Sequence, residues 1–211
     1  MSGLVTDATA AAAGYAVGSI PVGLVLGRVT RGLDVRDIGS GSTGTTNVLR
    51  AIGPGAAAAT FALDVAKGAV AVSCARALGP GRDGEVVAAL AAMVGHSWPV
   101  FAGFRGGKSV ATAFGGLLMM SPEASAWAVA GGVSALLATR TVSVGSLAAA
   151  GAGTVGAGLA ALRGGSATPL VFTGLASALI VVRHADNVRR LARGLEPRVS
   201  LRRPTPLVAG L

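Results

Sequence analysis

Long apolar segments alternate with short polar stretches along almost the whole chain. A helix that crosses a membrane needs about 20 largely apolar residues. Seven segments fit an apolar helix, although Ser109–Met120 is short for a complete crossing. The pattern therefore predicts an all-α integral membrane protein, built as a bundle of seven transmembrane helices: Leu4–Gly27, Ala51–Leu78, Glu85–Phe101, Ser109–Met120, Pro122–Thr139, Val142–Leu162 and Ser166–Val182.

Proline and capping residues mark breaks in this pattern. Ser19-Ile20-Pro21 predicts a kink in the first segment, because proline cannot donate the backbone hydrogen bond that a helix interior needs. Pro99 predicts a break near the end of the third segment. Ser121-Pro122-Glu123 combines a capping serine, a proline in the first turn and an acidic side chain near the positive end of the helix dipole. This triplet predicts the start of the fifth helix.

The composition supports the same class of protein. Charged residues are 13% of the 211 residues, hydrophobic residues are 52%, and the mean hydropathy is +0.66. Soluble domains carry about 25% charged residues, so a soluble protein is excluded. The net charge of +9 does not indicate a nucleic-acid partner, because the charges lie in loops and in the C-terminal tail. One cysteine and two scattered histidines predict no disulfide and no metal site.

Basic residues predict the orientation in the membrane. No lysine or arginine precedes the first segment, which predicts a retained helix with its N-terminus outside. Seven crossings then place all but four of the 18 basic residues on the cytosolic side, as the positive-inside rule expects. The four exceptions are Lys67, Arg76, Arg82 and Arg163. We expect a multi-pass protein of the inner (plasma) membrane, with residues 1–200 forming one domain and residues 201–211 a basic, proline-containing cytosolic tail.

Three polar stretches interrupt the apolar pattern, namely Gly39–Arg50, Gly95–Thr112 and Arg183–Glu196. The first formally matches the dinucleotide fingerprint, but no strand precedes it and no βαβ unit surrounds it. A glycine-rich loop that leads into a helix nevertheless suits an anion, because it exposes backbone N–H groups. Its hydroxyls, amide and guanidinium come from Ser40, Thr45, Thr46, Asn47 and Arg50. The alternative is a flexible loop with a helix cap.

The second and third stretches repeat this combination of small and cationic residues. Two glycines and two cations, Arg105-Gly106-Gly107-Lys108, lead into the fourth helix. An ordinary basic loop is the alternative. His184 and Asn187 have the i, i+3 spacing that places two side chains on one helical face. A basic tail that contacts anionic lipid is the alternative there, and it explains Arg198, Arg202 and Arg203 better.

We therefore predict that the helix bundle brings the three stretches together at the cytosolic face. There they would hold two phosphate-bearing molecules, one of them a lipid precursor. Asp64 and Lys67 are left out of this site, although ionisable groups inside a membrane helix often have a function. Lys67 would lie about 30 Å beyond Asn47 if one helix ran between them, so a mutual pair near the outer interface is expected.

The three stretches resemble those of the bacterial acyl-phosphate:glycerol-3-phosphate acyltransferases, the PlsY family. The family motifs read roughly GSGNxGxTNxLR, GHxxPVFxxFKGGKxVAT and RHxxNIxRLxxGxE, and their counterparts here stand in the same order over nearly the whole chain. The chain departs from the family pattern at five positions: Ser42 replaces asparagine, Thr43 the usual proline, Arg105 lysine, Ser109 glycine and Val188 isoleucine.

The resemblance implies a seven-helix enzyme of the inner membrane. Such an enzyme moves an acyl group from acyl phosphate to the 1-hydroxyl of glycerol 3-phosphate, giving lysophosphatidic acid and phosphate, with membrane lipid as its surroundings. It implies no cofactor, and we expect a monomer. The implied catalytic residues are Ser40, Arg50, Lys108, His184 and Asn187. The implied substrate-binding residues are Gly39, Gly41, Gly44, Thr46, Asn47, His96, Arg105, Gly106, Gly107 and Glu196.

This chemistry is compatible with the residues themselves. Acyl phosphate has an excellent leaving group, so the needs are orientation, charge neutralisation and a route for the hydroxyl proton. The candidate bases are His96, His184 and a substrate phosphate oxygen, and we favour substrate assistance with His184 as a positioning group. An aspartate five residues after a catalytic histidine is excluded, because Phe101 and Arg189 occupy those positions. An anion or phospholipid transporter and a noncatalytic relative are the rival hypotheses.

Overall fold

The computed structural model describes residues 2–79 and 81–199, and within these residues the regular secondary structure is entirely helical. Two short 3₁₀ turns lie at Val35–Asp37 and Val100–Ala102. The α-helices are α1 (Ser2–Gly18), α2 (Val22–Arg31), α3 (Thr45–Ala51), α4 (Pro54–Leu78), α5 (Gly81–Ser97), α6 (Val110–Met120), α7 (Pro122–Thr139), α8 (Val142–Leu162), α9 (Thr168–Arg183) and α10 (Ala185–Ala192). The predicted tail at 201–211 lies outside the described residues.

Several predicted boundaries are confirmed. Helices α7 and α8 have the predicted ends. The hydroxyl of Ser121 accepts a hydrogen bond of 3.2 Å from the Ala124 N–H, as expected of a capping serine. Residues 19–21 separate α1 from α2, so the predicted kink is present. Helix α5 ends at Ser97, two residues before Pro99.

The predicted start of the second long helix at Ala51 is wrong. Half of the first polar stretch is itself helical, because α3 covers Thr45–Ala51. The chain then turns at Gly53, whose φ of 126° suits glycine, and α4 starts with Pro54 in its first turn. Asp64 therefore lies in the first half of α4 and follows a turn, so no single helix extends from Asn47 to Lys67.

Four helical segments of the described chain are long and apolar enough to cross a membrane. A fifth follows if α9 and α10, which meet at a bend of 62°, are taken as one broken span. Helix α6 has only 11 residues, and α7 is not among the spans that length and composition identify. The architecture is thus an all-helical bundle with several possible crossings, and the count of seven stays a prediction. The four segments are Gly3–Arg31, Pro54–Leu78, Gly81–Ala102 and Val142–Leu162.

The helices alternate between two ends of the bundle. At one end, the Arg76 guanidinium donates to both carboxylate oxygens of Glu85 at 3.1 and 3.0 Å, and to the Met119 carbonyl at 2.6 Å. Arg163 forms an ion pair with Glu123 at this end too. These contacts join the C-terminal ends of α4, α6 and α8 to the N-terminal ends of α5 and α7.

The opposite end gathers the three polar stretches. Arg36, which precedes the first stretch, donates to the Ala102 carbonyl in the second stretch at 2.7 Å. The Val199 N–H donates to the Arg140 carbonyl, between α7 and α8, at 2.7 Å. The C-terminal segment thus folds back across the helix ends, and the predicted convergence of the stretches is confirmed.

Small residues let the helices of this bundle pack closely. A Cβ added to Gly68 would lie 2.0 Å from the Thr112 carbonyl oxygen, and one added to Gly115 would lie 1.9 Å from that of Val65. Helices α4 and α6 therefore touch backbone to backbone, as is common in membrane helix pairs. This contact brings Asp64 on α4 close to the polar turn that leads into α6.

Candidate active site

A polar cavity of about 570 Å³ lies where the three stretches meet. Most of the predicted site residues line it, whereas Gly41, Arg105, Gly106 and Gly107 do not. The predicted residues that line the cavity are Gly39, Ser40, Gly44, Thr46, Asn47, Arg50, His96, Lys108, His184, Asn187 and Glu196. The predicted residues outside the cavity are thus three glycines, Gly41, Gly106 and Gly107, and the exposed Arg105.

Asn47 holds the first loop in shape. Its amide nitrogen donates to the carbonyls of Val35 at 2.6 Å and Ser42 at 2.8 Å. Its amide oxygen accepts from the Ser40 N–H at 3.0 Å. A Cβ on Gly39, which has a φ of 59°, would lie 2.6 Å from that oxygen. The asparagine is 2% exposed, so it orders the loop that presents Ser40 to the cavity.

Ser42, one of the departures from the motif, has a local partner. Its hydroxyl accepts a hydrogen bond of 3.2 Å from the Gly44 N–H. This bond closes a short turn immediately before α3. The shorter side chain therefore still satisfies a backbone donor of the loop.

The two glycines of the second stretch pack against His96. The Gly107 N–H donates to the His96 carbonyl at 2.9 Å. A Cβ on Gly107 would lie 2.0 Å from Nε2 of His96, and a Cβ on Gly106 would lie 2.1 Å from the His96 carbonyl oxygen. The Arg183 guanidinium donates twice to the Gly107 carbonyl, at 3.1 and 3.0 Å. Close packing explains why both positions have glycine.

Ser109 fixes the residue after Lys108. It has a φ of 62°, a conformation that is unfavourable for residues with a side chain. Two hydrogen bonds of its buried hydroxyl hold it there, one donated to the Met93 carbonyl at 2.6 Å and one shared with Ser97 at 2.7 Å. The serine that replaces the family glycine is thus anchored to α5.

Lys108 belongs to a polar network that Asn187 connects. The Lys108 ammonium donates to the amide oxygen of Asn187. The amide nitrogen of Asn187 donates to Oε1 of Glu196 at 2.6 Å, and Ser143 donates to the same oxygen at 2.8 Å. Arg190 donates to Oε2 of Glu196 at 2.7 Å. One carboxylate therefore ties α8, α10 and the C-terminal segment together.

The charges in this network shift two pKa values. Burial, opposed by Glu196 and aided by the nearby charges of Arg190, Arg183 and Arg50, lowers the pKa of Lys108 to about 8. Burial alone would raise the pKa of Glu196, but hydrogen bonds from Asn187, Ser143 and Arg190 outweigh it, and the net shift is downward. At neutral pH the site therefore holds a charged ammonium and an ionised carboxylate.

His184 has a defined tautomer when its ring is neutral. Its Nδ1 lies 2.8 Å from the Ile180 carbonyl, and because a carbonyl only accepts, Nδ1 carries the proton. Nε2 is then the acceptor atom of the ring. The residue is 3% exposed and lines the cavity, so it can accept or orient a hydroxyl proton.

The structure corrects the expectation for Asp64 and Lys67. The mutual pair is present, with Oδ1 of Asp64 2.9 Å from Nζ of Lys67. Its expected location near the outer interface is wrong, since Asp64 lines the polar cavity and lies 3.5 Å from Nδ1 of His96. Lys67 donates to the Ile20 carbonyl at the kink, at 3.2 Å. The turn at Gly53 is the sequence signal that would have shortened the estimated distance.

Other cavity residues were also absent from the predicted site. Half of them lie within the three stretches but were not assigned to the site, and the other half lie in α4, in α8 or just after the third stretch. Ser143 and Arg190 are the members that join the hydrogen-bond network. The remaining ones are Ser42, Thr45, Phe61, Asp64, Ser109, Val110, Ala111, Val142, Ser146 and Pro197.

An apolar cavity of about 330 Å³ adjoins the polar one, between α6, α7, α8 and α9. The two cavities share five residues, namely Phe61, Val110, Ala111, Val142 and Ser146. The two cavities are therefore adjacent and have a common wall. Together they fit an amphiphile with an anionic head among the cations and an alkyl chain between the helices.

The family model of glycerol-3-phosphate acyltransferase matches residues 8–194. The chain belongs to the glycerol-3-phosphate acyltransferase family. Because the match includes the first two polar stretches and all but the last two residues of the third, the resemblance seen in the motifs is confirmed. The cavity described above is therefore the candidate active site of an acyltransferase.

Similar proteins cover almost the full length of the chain. The glycerol-3-phosphate acyltransferase of Anaeromyxobacter sp. (strain Fw109-5) is 49% identical over 205 residues, which cover 94% of this chain and 99% of that protein. The one from Symbiobacterium thermophilum is 46% identical over 189 residues, covering 90% of this chain and 92% of that protein.

Two solved structures share the fold. One is the crystal structure of PlsY (YgiH), an integral membrane glycerol 3-phosphate acyltransferase, in its glycerol 3-phosphate form. Its TM-score is 0.82 at 34% identity, covering 95% of this chain and 96% of that one. The lysophosphatidic acid form of PlsY gives 0.81 at 33% identity, covering 92% and 95%. The chain is thus a multi-pass membrane acyltransferase, as predicted.

Proposed function

We propose that the protein transfers a fatty acyl group from acyl phosphate to the 1-hydroxyl of glycerol 3-phosphate. The products are 1-acyl-glycerol 3-phosphate (lysophosphatidic acid) and inorganic phosphate. The observation that carries this proposal is that a cation-lined polar cavity and an apolar cavity lie side by side with five lining residues in common. A relative crystallised in glycerol 3-phosphate and lysophosphatidic acid forms supports the acceptor and the product.

The polar cavity has the charges that two phosphate groups require. Arg50, Lys108 and Arg190 line it, together with the hydroxyls and N–H groups of the first loop. An arginine fork suits a bidentate phosphate contact, whereas a lysine provides a compact positive charge. We assign Arg50 and Lys108 to charge neutralisation, with Ser40 and Asn187 as orienting groups. The acyl chain would lie in the apolar cavity.

The reaction needs no protein nucleophile. The 1-hydroxyl oxygen of glycerol 3-phosphate forms a bond to the acyl carbonyl carbon, and the bond from that carbon to the phosphate oxygen breaks. The electron pair leaves with the phosphate, which also takes the hydroxyl proton, so the products are an ester and hydrogen phosphate. His184 would orient the hydroxyl through Nε2. Two anions held beside fixed cations gain most from orientation and electrostatic stabilisation.

We further propose seven membrane crossings, with the N-terminus outside and the cavity and C-terminal segment in the cytosol. The alternation of helix ends between the two faces of the bundle supports this arrangement, as does the clustering of basic residues around the cavity. A soluble glycerol 3-phosphate would then enter from the cytosol, and the acyl chain would enter from the bilayer.

The experiment is a phosphate-release assay on the purified protein with palmitoyl phosphate and glycerol 3-phosphate. We expect release that depends on both substrates, with 1-palmitoyl-glycerol 3-phosphate formed in equal amount. Palmitoyl thioesters are the matched alternative donors. Product formed from a thioester but not from palmitoyl phosphate would contradict the proposed donor, and uptake without acyl product would contradict the enzyme.

A further inference from the structure

Asp64 is a buried carboxylate to which the proposed reaction gives no role. Its side chain is 3% exposed, and it lies within α4, one of the long apolar helices. Ionisable groups at such positions are costly and commonly mark function. A buried ion pair is weak evidence for added stability, because apolar replacements are often equally stable. The pair with Lys67 therefore calls for an explanation other than stability.

The neighbour of Asp64 that faces the active site is His96. Oδ1 of Asp64 lies 2.9 Å from Nζ of Lys67 and 3.5 Å from Nδ1 of His96. The contact with Lys67 is ionic, and Oδ1 has no hydrogen-bond partner of good geometry among the described residues. The imidazole is 6% exposed at the end of α5. Asp64 thus connects α4 to the last turn of α5.

His96 in turn supports the polar turn before α6. Its Nε2 lies where a Cβ on Gly107 would be only 2.0 Å away. Its carbonyl accepts the Gly107 N–H at 2.9 Å. The ring of His96 therefore packs against Gly107, and its backbone carbonyl accepts a hydrogen bond from the same glycine.

The turn determines the position of Lys108. Arg183 holds the Gly107 carbonyl from the other side with two hydrogen bonds, and its guanidinium stacks on Trp98 at 4.9 Å. Ser109 is held by α5 on the far side of Lys108. The lysine backbone is fixed before and after, so the ammonium reaches Asn187 from a defined origin.

We propose that Asp64 is a positioning residue: it orients the His96 imidazole, which supports the Gly106–Gly107 turn and so sets where the Lys108 ammonium lies in the cavity. The inference rests on the proposed role of Lys108 in the reaction. A displacement of a charged group by about 1 Å can lower turnover a hundredfold. Loss of Asp64 should therefore lower turnover by displacing Lys108, although Asp64 itself does not contact Lys108.

The kinetic test is a double-mutant cycle of Asp64→Asn and His96→Gln. Each single variant should lower kcat about tenfold to a hundredfold, with a smaller change in the KM for glycerol 3-phosphate. If Asp64 acts through His96, the double variant should be no worse than His96→Gln alone, because residues in one chain of contacts are not additive. If the kcat losses of the two single variants multiplied in the double variant, the proposal would be overturned. A change confined to KM would also overturn it, because it would indicate direct substrate contact.

Glu85→Gln is the matched control. Glu85 also links α5 to α4, through Arg76, but at the opposite end of the bundle. Because its partner Arg76 is half-exposed, Glu85→Gln should lower thermal stability less than Asp64→Asn, and it should leave kcat within about twofold of the unmodified protein. Equal losses of kcat in Glu85→Gln and Asp64→Asn, each assayed well below its own melting temperature, would mean that general loosening explains both, which would overturn the proposal.

A second measurement observes Lys108 without catalysis. Lys67 and Lys108 are the only lysines of the chain, so ¹³C-dimethylation gives two lysine signals besides that of the α-amino group. The groups that act on Lys108 are Glu196, Arg190, Arg183 and Arg50. Asp64→Asn leaves all of these groups in place but loosens the turn. Lys108 should then be less buried, so its signal should titrate at a higher pH than in the unmodified protein.

The two measurements separate the inference from the proposed function. An unchanged Lys108 titration in Asp64→Asn and in His96→Gln would overturn the positioning role, whatever the substrate is. Suppose instead that the titration pH of Lys108 is higher in the variants, but the unmodified protein does not turn over acyl phosphate. The positioning role would then stand, and the proposed acyl donor would be contradicted. If Asp64→Asn fails to fold, His96→Gln alone still decides, because its titration shift is required.

Discussion

Lys108 keeps its positive charge available because its contact is an amide. The ammonium donates to Asn187, and Asn187 then donates to the carboxylate of Glu196. A direct ion pair with Glu196 would neutralise the ammonium and reduce its attraction for a phosphate. An asparagine between the two charges keeps the lysine ordered while a substrate anion can still bind it.

Removal of either proposed neutralising cation should abolish most of the activity. We expect Lys108→Ala and Arg50→Ala to lower kcat/KM about a hundredfold to a thousandfold, because each removes a charge that faces the leaving phosphate. The measurement is steady-state phosphate release by purified variants whose thermal unfolding matches that of the unmodified protein. Arg189→Ala is the control, since that side chain is 71% exposed and pairs only at the surface with Asp186. Near-normal turnover in either cation variant would reject the site.

The rate should fall as the pH rises through the pKa of Lys108. That pKa is lowered to about 8, so the ammonium loses its proton above this pH and with it the charge that holds phosphate. We expect an alkaline limb near pH 8 in the pH profile of kcat/KM. Lys108→Arg should remove the limb, because an arginine stays protonated. A limb that persists unchanged in this variant would assign it to another group.

The residues of the site were predictable only where the sequence itself is polar. Ser40, Arg50, Lys108, His184 and Asn187 stood out as polar positions between apolar runs, and the structure brings all five to one cavity. Arg190 and Ser143 did not stand out, because one is among several arginines and the other lies in an apolar helix. Asp64 was not predicted as a site residue because one continuous helix from Asn47 would carry it away from the first loop. The turn at Gly53 interrupts that helix.

At the scale of elements, the contact of α4 with α6 positions the turn that contains Lys108. The backbones touch at Gly68 and Gly115, so any side chain there separates the helices. Asp64 lies one turn before Gly68 on α4, and Lys108 lies just before α6. The separation would therefore change the active site as well as the packing.

Gly68→Ala should destabilise the protein, with a loss of about 1–3 kcal/mol, because its Cβ would lie 2.0 Å from the Thr112 carbonyl oxygen. Gly55→Ala on the same helix is the control. A Cβ there has no neighbour within 4 Å, so stability should be unchanged or slightly higher. Thermal unfolding in detergent measures both. Equal stability of the two variants would show that the helices separate without cost.

Helix boundaries were predictable where capping chemistry was explicit. Ser121-Pro122 predicted the first residue of α7 correctly, and the predicted bounds of α8 also agree with the structure. The division of α3 from α4 was missed because small apolar residues lie on both sides of Gly53-Pro54-Gly55, although that triplet is itself a turn signal. The shape of the first loop is likewise decided by the long-range contact of Asn47 with Val35.

At the scale of the whole molecule, the bundle is asymmetric along its axis. One end has a few ion pairs, such as Arg76 with Glu85, whereas the other end has the cavity and its cations. A one-ended active site suits an enzyme that takes one substrate from water and the other from the bilayer. Consecutive long helices run in opposite directions, so each loop lies at the end opposite to the loop before it. This is why the side on which each loop lies could be predicted by counting the helices along the sequence.

The proposed orientation can be tested by labelling single cysteines in a Cys74→Ser background. Arg31→Cys and Arg193→Cys should react with a membrane-impermeant maleimide only after the cells are opened. Ser166→Cys, beyond the other end of α8, should react on intact cells. All three positions are exposed in the folded chain, so accessibility depends on the membrane alone. Labelling of 31 and 193 from opposite sides would contradict the seven crossings.

The return of the C-terminal segment to the cavity has a consequence for biosynthesis. Glu196 and Pro197 form part of the same wall as Ser40, although more than 150 residues separate them along the chain. A nascent polypeptide still attached to the ribosome can insert its early helices but has no complete pocket. The pocket is therefore complete only after the chain through Pro197 has left the ribosome, and a message truncated after α9 should yield a stably inserted but inert protein.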